Sequence, residues 1–157
     1  MDQLWAPWRL GNAIKPPSED CFLCTAIAED RDRDNYIVER TRHSVVMLNR
    51  YPYNNGHLLI APLGHYAMPA NLDDATTLDL QQLIGKYIGL LEEKLNASGF
   101  NVGLNLGRAA GAGLPGHLHW HVVPRWPGDT NFLPVMTDTR VIVQSLEALY
   151  AIIASIP

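Results

Sequence analysis

Residues 117–123 read His-Leu-His-Trp-His-Val-Val, and this alternation of imidazole with bulky apolar side chains constrains the chain more than any other feature. A period of two belongs to a β-strand, so His117, His119 and His121 share one face while Leu118, Trp120 and Val122 share the other. The apolar face must lie against a core. The histidine face then looks to the opposite side, where a pocket can form. Three of the chain's six histidines fall within these five residues, and aligning titratable groups in this way is costly without a use for them.

Around this strand there is room for one domain. The chain has 157 residues, 47% of them apolar, which suffices for a core and excludes wholesale disorder. A formal net charge of −4 gives no general cationic field, so non-specific nucleic-acid binding is not expected, and any positive potential for an anionic ligand must be local. The first ten residues carry no long apolar stretch, and no run approaches a membrane span. Two cysteines are too few for a disulfide framework, and their spacing, Cys21-Phe-Leu-Cys24, suits metal or redox chemistry. The expectation is a cytoplasmic protein with no membrane partner.

Residues 1–17 contain Trp5, Pro7, Trp8, Pro16 and Pro17 and read as an extended arm, leaving 18–157 as the domain. Ser18 is placed to cap a short helix running through Cys21, Cys24 and Ile27. Short strands are expected at Tyr36–Val38, Ser44–Leu48 and His57–Ala61, with a turn over Asn49–Gly56. After Asp73, the apolar residues Leu80, Leu83, Ile84, Tyr87, Ile88, Leu91 and Leu95 recur at helical spacing, and Ser98-Gly99 reads as the stop. Strands are expected at Asn101–Leu106 and Leu118–Val123. A last helix, from about Asp138 to Ile153, is expected to bury Val141, Ser145, Leu146, Leu149 and Ile153. This order predicts an α+β fold with a mostly antiparallel sheet, one long helix and a C-terminal helix.

Two chemistries fit the histidine row. Three imidazoles can hold a catalytic zinc with an open position for water. Alternatively, one imidazole is a nucleophile while its neighbours orient it and bind phosphate. The preceding loop favours the second. Gly107-Arg108-Ala109-Ala110-Gly111-Ala112-Gly113 can bring backbone N–H groups close to an anion, and Arg108 and Arg125 flank it.

With its two trailing apolar residues, His117-Leu-His119-Trp-His121-Val-Val resembles the signature of the histidine triad (HIT) family of nucleotide hydrolases and transferases. Leu48-Asn49-Arg50 with Gly56-His57-Leu58-Leu59-Ile60 resembles that family's nucleoside-binding half. Asn105-Leu106-Gly107 through Gly113, Pro124-Arg125-Trp126 and Gly128-Asp129 are similar to its branch acting on dinucleoside polyphosphates. Leu4-Trp5-Ala6-Pro7-Trp8-Arg9 resembles the start of the bacterial diadenosine tetraphosphate phosphorylases.

The resemblance implies a histidine triad fold and a role for each matching residue. His119 becomes the nucleophile, attacking an α-phosphorus to give a nucleotidyl-imidazole and expel the remaining polyphosphate. His121 and Asn105 donate to phosphate oxygens, Asn49 lies near the ribose hydroxyls, and backbone N–H groups of Gly111, Ala112 and Gly113 stabilise developing charge. Arg125 and Trp126 join the substrate-binding set, Trp126 either stacking on a base or packing. Hydrolytic members commonly carry glutamine four residues before the first triad histidine. Here Gly113 stands there, which leaves room for inorganic phosphate and favours phosphorolysis to ADP and ATP. Gln144 stands where relatives often have proline or glutamate, with no functional meaning attached.

Alone, the cysteine pair reads equally as metal ligands or as two small buried residues. Zinc-containing members of the family, and the related galactose-1-phosphate uridylyltransferases, complete such a pair with two histidines. By that resemblance Cys21, Cys24, His65 and His117 hold a closed, structural zinc. His57 reads as a structural core histidine and His43 as solvated. A homodimer is usual in the family. The alternatives are a dinucleoside polyphosphate hydrolase, a nucleoside phosphoramidase, a nucleotide-binding regulatory module without turnover, and a three-histidine zinc hydrolase.

Overall fold

The computed structural model describes residues 21–114, 116–130 and 141–154. The arm at 1–17 and the capping residue Ser18 lie outside them. The elements are α1 (Phe22–Ala28), β1 (Ile37–Arg40), β2 (Ser44–Leu48), β3 (Leu58–Pro62), α2 (Asp74–Leu95), β4 (Gly99–Leu104), β5 (Trp120–Arg125) and α3 (Leu146–Ala154). The strands form one sheet in the order β1-β2-β3-β5-β4, every neighbouring pair antiparallel. The fold is the α+β arrangement expected, and β5 is inserted between β3 and β4, which are joined through α2.

The interior strands β2 and β3 are buried at all five positions each, because both faces of the sheet are covered. On one face Val46, Leu48, Leu58, Ile60 and Val122 meet Leu80, Leu83, Ile84, Tyr87 and Leu91 of α2 and Leu149 and Ile153 of α3. On the other, Val45, Met47, Leu59 and Ala61 meet Leu23 and Ala26 of α1. His121 pairs directly with Leu59 and therefore projects from the α1 face, while Val122 enters the α2 core.

Several element ends differ from the expected ones for local reasons. Cys21 itself caps α1, its Sγ accepting the Cys24 N–H at 3.3 Å, so the helix starts one residue later than Cys21. Asp73 caps α2 through the Thr76 N–H at 2.7 Å. The stop of α2 is Asn96 in the left-handed region (φ 54°), and Gly99 opens β4 instead of ending the helix. Gly56 (φ +74°) cannot be replaced cheaply, since a Cβ would lie 2.7 Å from Leu95 and 3.0 Å from Pro124. The C-terminal helix begins at Leu146; Ser145 caps it by accepting the Ala148 N–H and is exposed, as is Val141, so neither is a core residue. The expected start near Asp138 falls in 131–140, outside the described residues. The ladder of β5 begins at Trp120, so His117 and His119 stand in the segment that leads from the turn at Gly116 into it.

Candidate active site and metal cluster

Alternation holds along this segment despite the late start of the ladder. His117 and His119 are buried, His121 is half-buried, and all three lie away from the α2 core. The His119 and His121 rings meet edge to face, with centroids 5.1 Å apart, whereas the His117 ring turns Nδ1 to the two cysteines.

His117 Nε2 lies 2.9 Å from the Pro62 carbonyl, which can only accept, so the proton is on Nε2. Nδ1 then offers a lone pair toward Cys21 Sγ at 3.3 Å and Cys24 Sγ at 3.4 Å. Cys24 Sγ is also 3.1 Å from His65 Nδ1. The four ligand atoms lie within 4.8 Å of one another, and among the described residues this is the group of metal-ligating side chains brought together. Two thiols and two imidazoles at these separations match the tetrahedral S2N2 set, in which S···N edges are about 3.6 Å. Gly116 permits the approach of His65, whose Nε2 would stand 3.1 Å from a Cβ there.

His119 is fixed the opposite way. Its Nδ1 is 2.8 Å from the His117 carbonyl and must donate, leaving the lone pair on Nε2. Burial lowers its pKa from the ordinary histidine value, against the raising effect of that hydrogen bond. The ring is thus neutral, with an unprotonated Nε2.

His121 is oriented by a residue that the sequence reading assigned to the core. His57 is buried and its Nε2 is 2.9 Å from His121 Nδ1. The Tyr53 backbone N–H donates to His57 Nδ1 at 3.0 Å, so Nε2 carries the His57 proton and donates to His121. His121 consequently presents an Nε2–H. The Tyr53 ring stacks on His121, with centroids 5.5 Å apart and planes at 22°. Burial, then the neighbouring His119, pushes the His121 pKa down to about 4. In the sequence His57 is legible only as a core histidine and Tyr53 only as a turn residue, because the strand pairing that brings them to His121 leaves no mark in their own segment.

The remaining expected site residues divide. Asn105 reaches the cluster, its Nδ2 3.5 Å from His121 Nε2. Gly103, directly opposite His121 on β4, leaves open space beside that ring. Asn49 is drawn in through His57, with Nδ2 3.3 Å from His57 Nδ1 and Oδ1 accepting the Tyr51 N–H at 2.9 Å. In the glycine loop, the Gly111 and Ala112 N–H groups are spent on the carbonyls of Arg108 and Gly107 at 2.9 and 3.3 Å. Gly113 has open space around its Cα, and among the described residues its N–H has no hydrogen-bond partner.

Arg125 and Trp126 are held elsewhere. Arg125 chelates Asp129 at 2.6 and 2.9 Å and donates to Asn101, about 13 Å along β5 from His121 at four strand residues. Trp126 donates its indole N–H to the Asn96 carbonyl at 2.8 Å, capping the end of α2. Gln144 accepts from Asn55 at 2.8 Å.

A five-stranded antiparallel sheet whose β5 is entered through three alternating histidines, beside a Cys-x-x-Cys pair, defines an α+β protein with a histidine-built site. The HIT domain model matches residues 30–128, and the chain belongs to the HIT family. It is 35% identical over 166 aligned residues to the AP-4-A phosphorylase of Mycobacterium tuberculosis H37Rv, covering 99% of this chain and 84% of that one. A hypothetical histidine triad nucleotide-binding protein from Sulfolobus tokodaii superposes with a TM-score of 0.69 at 26% identity, covering 85% of this chain and 89% of that one. A Zn-bound histidine triad protein from Mycobacterium smegmatis shares the fold, with a TM-score of 0.70 at 23% identity over 87% of this chain and 91% of that one. Among the described residues no helix is long and apolar enough to cross a membrane.

Proposed function

We propose that this chain is a nucleotidyl-transferring enzyme that cleaves dinucleoside polyphosphates, diadenosine tetraphosphate foremost, by phosphorolysis to ADP and ATP. The observation that carries this reading is the protonation pattern of the row. His119 alone of the three offers an Nε2 lone pair away from its anchoring hydrogen bond, and His121 beside it offers an N–H. In the first step His119 Nε2 forms a bond to the α-phosphorus while the bond from that phosphorus to the bridging oxygen breaks, and ATP departs with its electron pair. In the second, an oxygen of inorganic phosphate attacks the nucleotidyl-imidazole, the P–N bond breaks, and ADP leaves with His119 restored. His121 Nε2–H and Asn105 Nδ2 stand 3.5 Å apart as two donors side by side, an arrangement suited to one phosphoryl oxygen. The open space at Gly113, and its N–H without a partner among the described residues, suit the incoming phosphate.

The likeness to a curated AP-4-A phosphorylase over nearly the whole chain supports the substrate class. The Cys21, Cys24, His65 and His117 set fits a structural zinc, which these four side chains would hold and which would tie α1 to the histidine segment. Its relevance to the reaction lies in His117, whose ring faces the sulfurs and whose carbonyl fixes the His119 proton. A homodimer is further proposed, through the β4 edge, where Val102 is exposed.

Product analysis with diadenosine tetraphosphate, with and without phosphate, tests the reaction. ADP plus ATP appearing only with phosphate, and absent in His119→Ala, is the expected result. AMP plus ATP regardless of phosphate makes the enzyme a hydrolase. Turnover of adenosine phosphoramidate alone makes it a phosphoramidase.

A further inference from the structure

A polyphosphate chain is strongly anionic, and this chain carries a net charge of −4, so the site needs cations placed close to it. Most described cations are already committed. Arg31, Arg40, Lys86, Lys94 and Arg125 each form an ion pair with a carboxylate. Arg50 donates to the Asp34 carbonyl at 2.8 Å and lies over the Tyr36 ring. Among the described residues, the side chains of Arg33, Arg42 and Arg108 are left without a hydrogen bond or ion pair. Arg33 and Arg42 belong to turns flanking β1, three strand positions from β5. Arg108 is on the loop that borders the histidines.

That loop leaves β4 at Asn105, beside His121, and recrosses the α1 face, where Leu114 packs on the cluster of Leu23, Met47 and Leu59. Arg108 follows Asn105 by three residues, within about 11 Å of chain, and its own side chain is long enough to span much of that gap. Its backbone is firmly placed. Gly107 (φ +77°) and Gly111 (φ +82°) bracket a single 3-10 turn, closed by the bonds from Ala110 and Ala112 to Gly107 and from Gly111 to Arg108. No acidic residue occurs between Asn105 and His117 to compete for the guanidinium.

We propose that Arg108 binds the departing polyphosphate and sets the preference of the site for long phosphate chains; this inference rests on the nucleotidyl-transfer reading above. His119 is buried and Arg108 is exposed. A leaving group aligned opposite the attacking Nε2 must therefore move outward, toward the loop rim. There a planar guanidinium takes two phosphate oxygens at once, which an ammonium cannot do equally well. The α-phosphate, held by His121, Asn105 and Gly113, does not need it. Arg108 is thus a specificity determinant that acts on the β-phosphate and beyond.

The test compares wild type, Arg108→Ala and Arg108→Lys on diadenosine tetraphosphate and on an aryl ester of AMP, whose leaving group has no phosphate. For Arg108→Ala the expected result is a KM for the tetraphosphate about tenfold higher, with kcat within about twofold and the ester kinetics unchanged. Arg108→Lys should fall between. Calorimetry should give about tenfold weaker ATP binding and unchanged AMP binding in Arg108→Ala. Equal losses on both substrates, or none on either, would overturn the inference. A wild-type enzyme inactive on the tetraphosphate would instead overturn the underlying reaction, and the ATP-to-AMP affinity ratio would still decide the role of Arg108.

Discussion

The two ends of the histidine row are built from the same side chain and do different things. At one end His117 is wholly buried, gives its Nε2 proton to the Pro62 carbonyl and turns Nδ1 to two sulfurs. At the other, His121 is half-buried and accepts a hydrogen bond from the His57 Nε2–H on its Nδ1, which leaves its own Nε2–H facing Asn105. Between them, His119 is anchored by a backbone carbonyl through Nδ1 and is left with a bare Nε2. Residue type sets what an imidazole can do; the polarity of its nearest fixed partner sets which of those things it does. One end is therefore suited to anchoring and the other to reaction, with the His117 carbonyl joining them.

The largest effect that would break this division is at the middle of the row. His119→Ala should lower turnover of diadenosine tetraphosphate by about a thousandfold or more, with zinc content and melting temperature close to wild type. Rapid quenching and mass analysis should find the nucleotidyl adduct in wild type and none in the variant. Next in size is Cys24→Ser. If the anchoring end is as described, this variant loses zinc by elemental analysis, melts several degrees lower, and slows through the displaced His117 carbonyl. Full zinc occupancy in Cys24→Ser, combined with zinc loss in His119→Ala, would replace the division with a catalytic zinc held by the row itself.

Much of this arrangement is visible in the sequence, for identifiable reasons. The two interior strands are largely apolar five-residue runs, Ser44–Leu48 matching its expected ends and Leu58–Pro62 shifted by one residue, because strands buried on both faces have no polar alternation to blur them. The face shared by the histidines follows from their spacing alone. The metal group required a resemblance, since Cys21 and Cys24 lie 93 or more residues from His117. His57 is the clearest loss. Its meeting with His121 depends on β5 pairing with β3 in the register Leu59 to His121, across the whole of α2 and β4. No periodicity within either segment encodes that register. The commitment of Arg125 to Asp129 was closer to hand, being a local i,i+4 pair at a turn, yet it was masked by the same motif that suggested substrate contact.

His57 supplies a smaller test of the reacting end. His57→Phe keeps a ring but removes the proton given to His121, freeing the other tautomer. Turnover should fall roughly tenfold to a hundredfold, with zinc retained. An unchanged rate would mean that Tyr53 stacking and Asn105 suffice to orient His121.

The pH response of stability separates the ends without substrate. The folded His121 has a pKa of about 4, whereas an unfolded histidine titrates near 6.5. Between those values the unfolded chain takes up a proton that the folded chain refuses, so stability falls as pH drops from about 6.5 to about 4 and levels off below for this group. Urea midpoints measured across that window should decline in wild type and decline less in His121→Gln. Parallel slopes for the two proteins would show that the acid sensitivity lies with the other buried histidines, His117 and His119, whose pKa values burial also lowers.

The smallest structural perturbation concerns Gly113, and its chemistry is the most informative about mechanism. A Cβ at this position meets nothing within 4 Å, so Gly113→Gln should fold with a melting temperature within about a degree of wild type. Its amide would occupy the space assigned to inorganic phosphate and offer a water an acceptor in its place. The total rate should change little while the product ratio moves from ADP toward AMP, read by chromatography at fixed phosphate. A variant that remains strictly phosphate-dependent would show that Gly113 does not choose the second nucleophile. Selection between water and phosphate would then lie with charge at the loop rim, where Arg108 has no hydrogen-bond or ion-pair partner among the described residues, and the contrast between the two ends of the row would concern nucleophile activation alone.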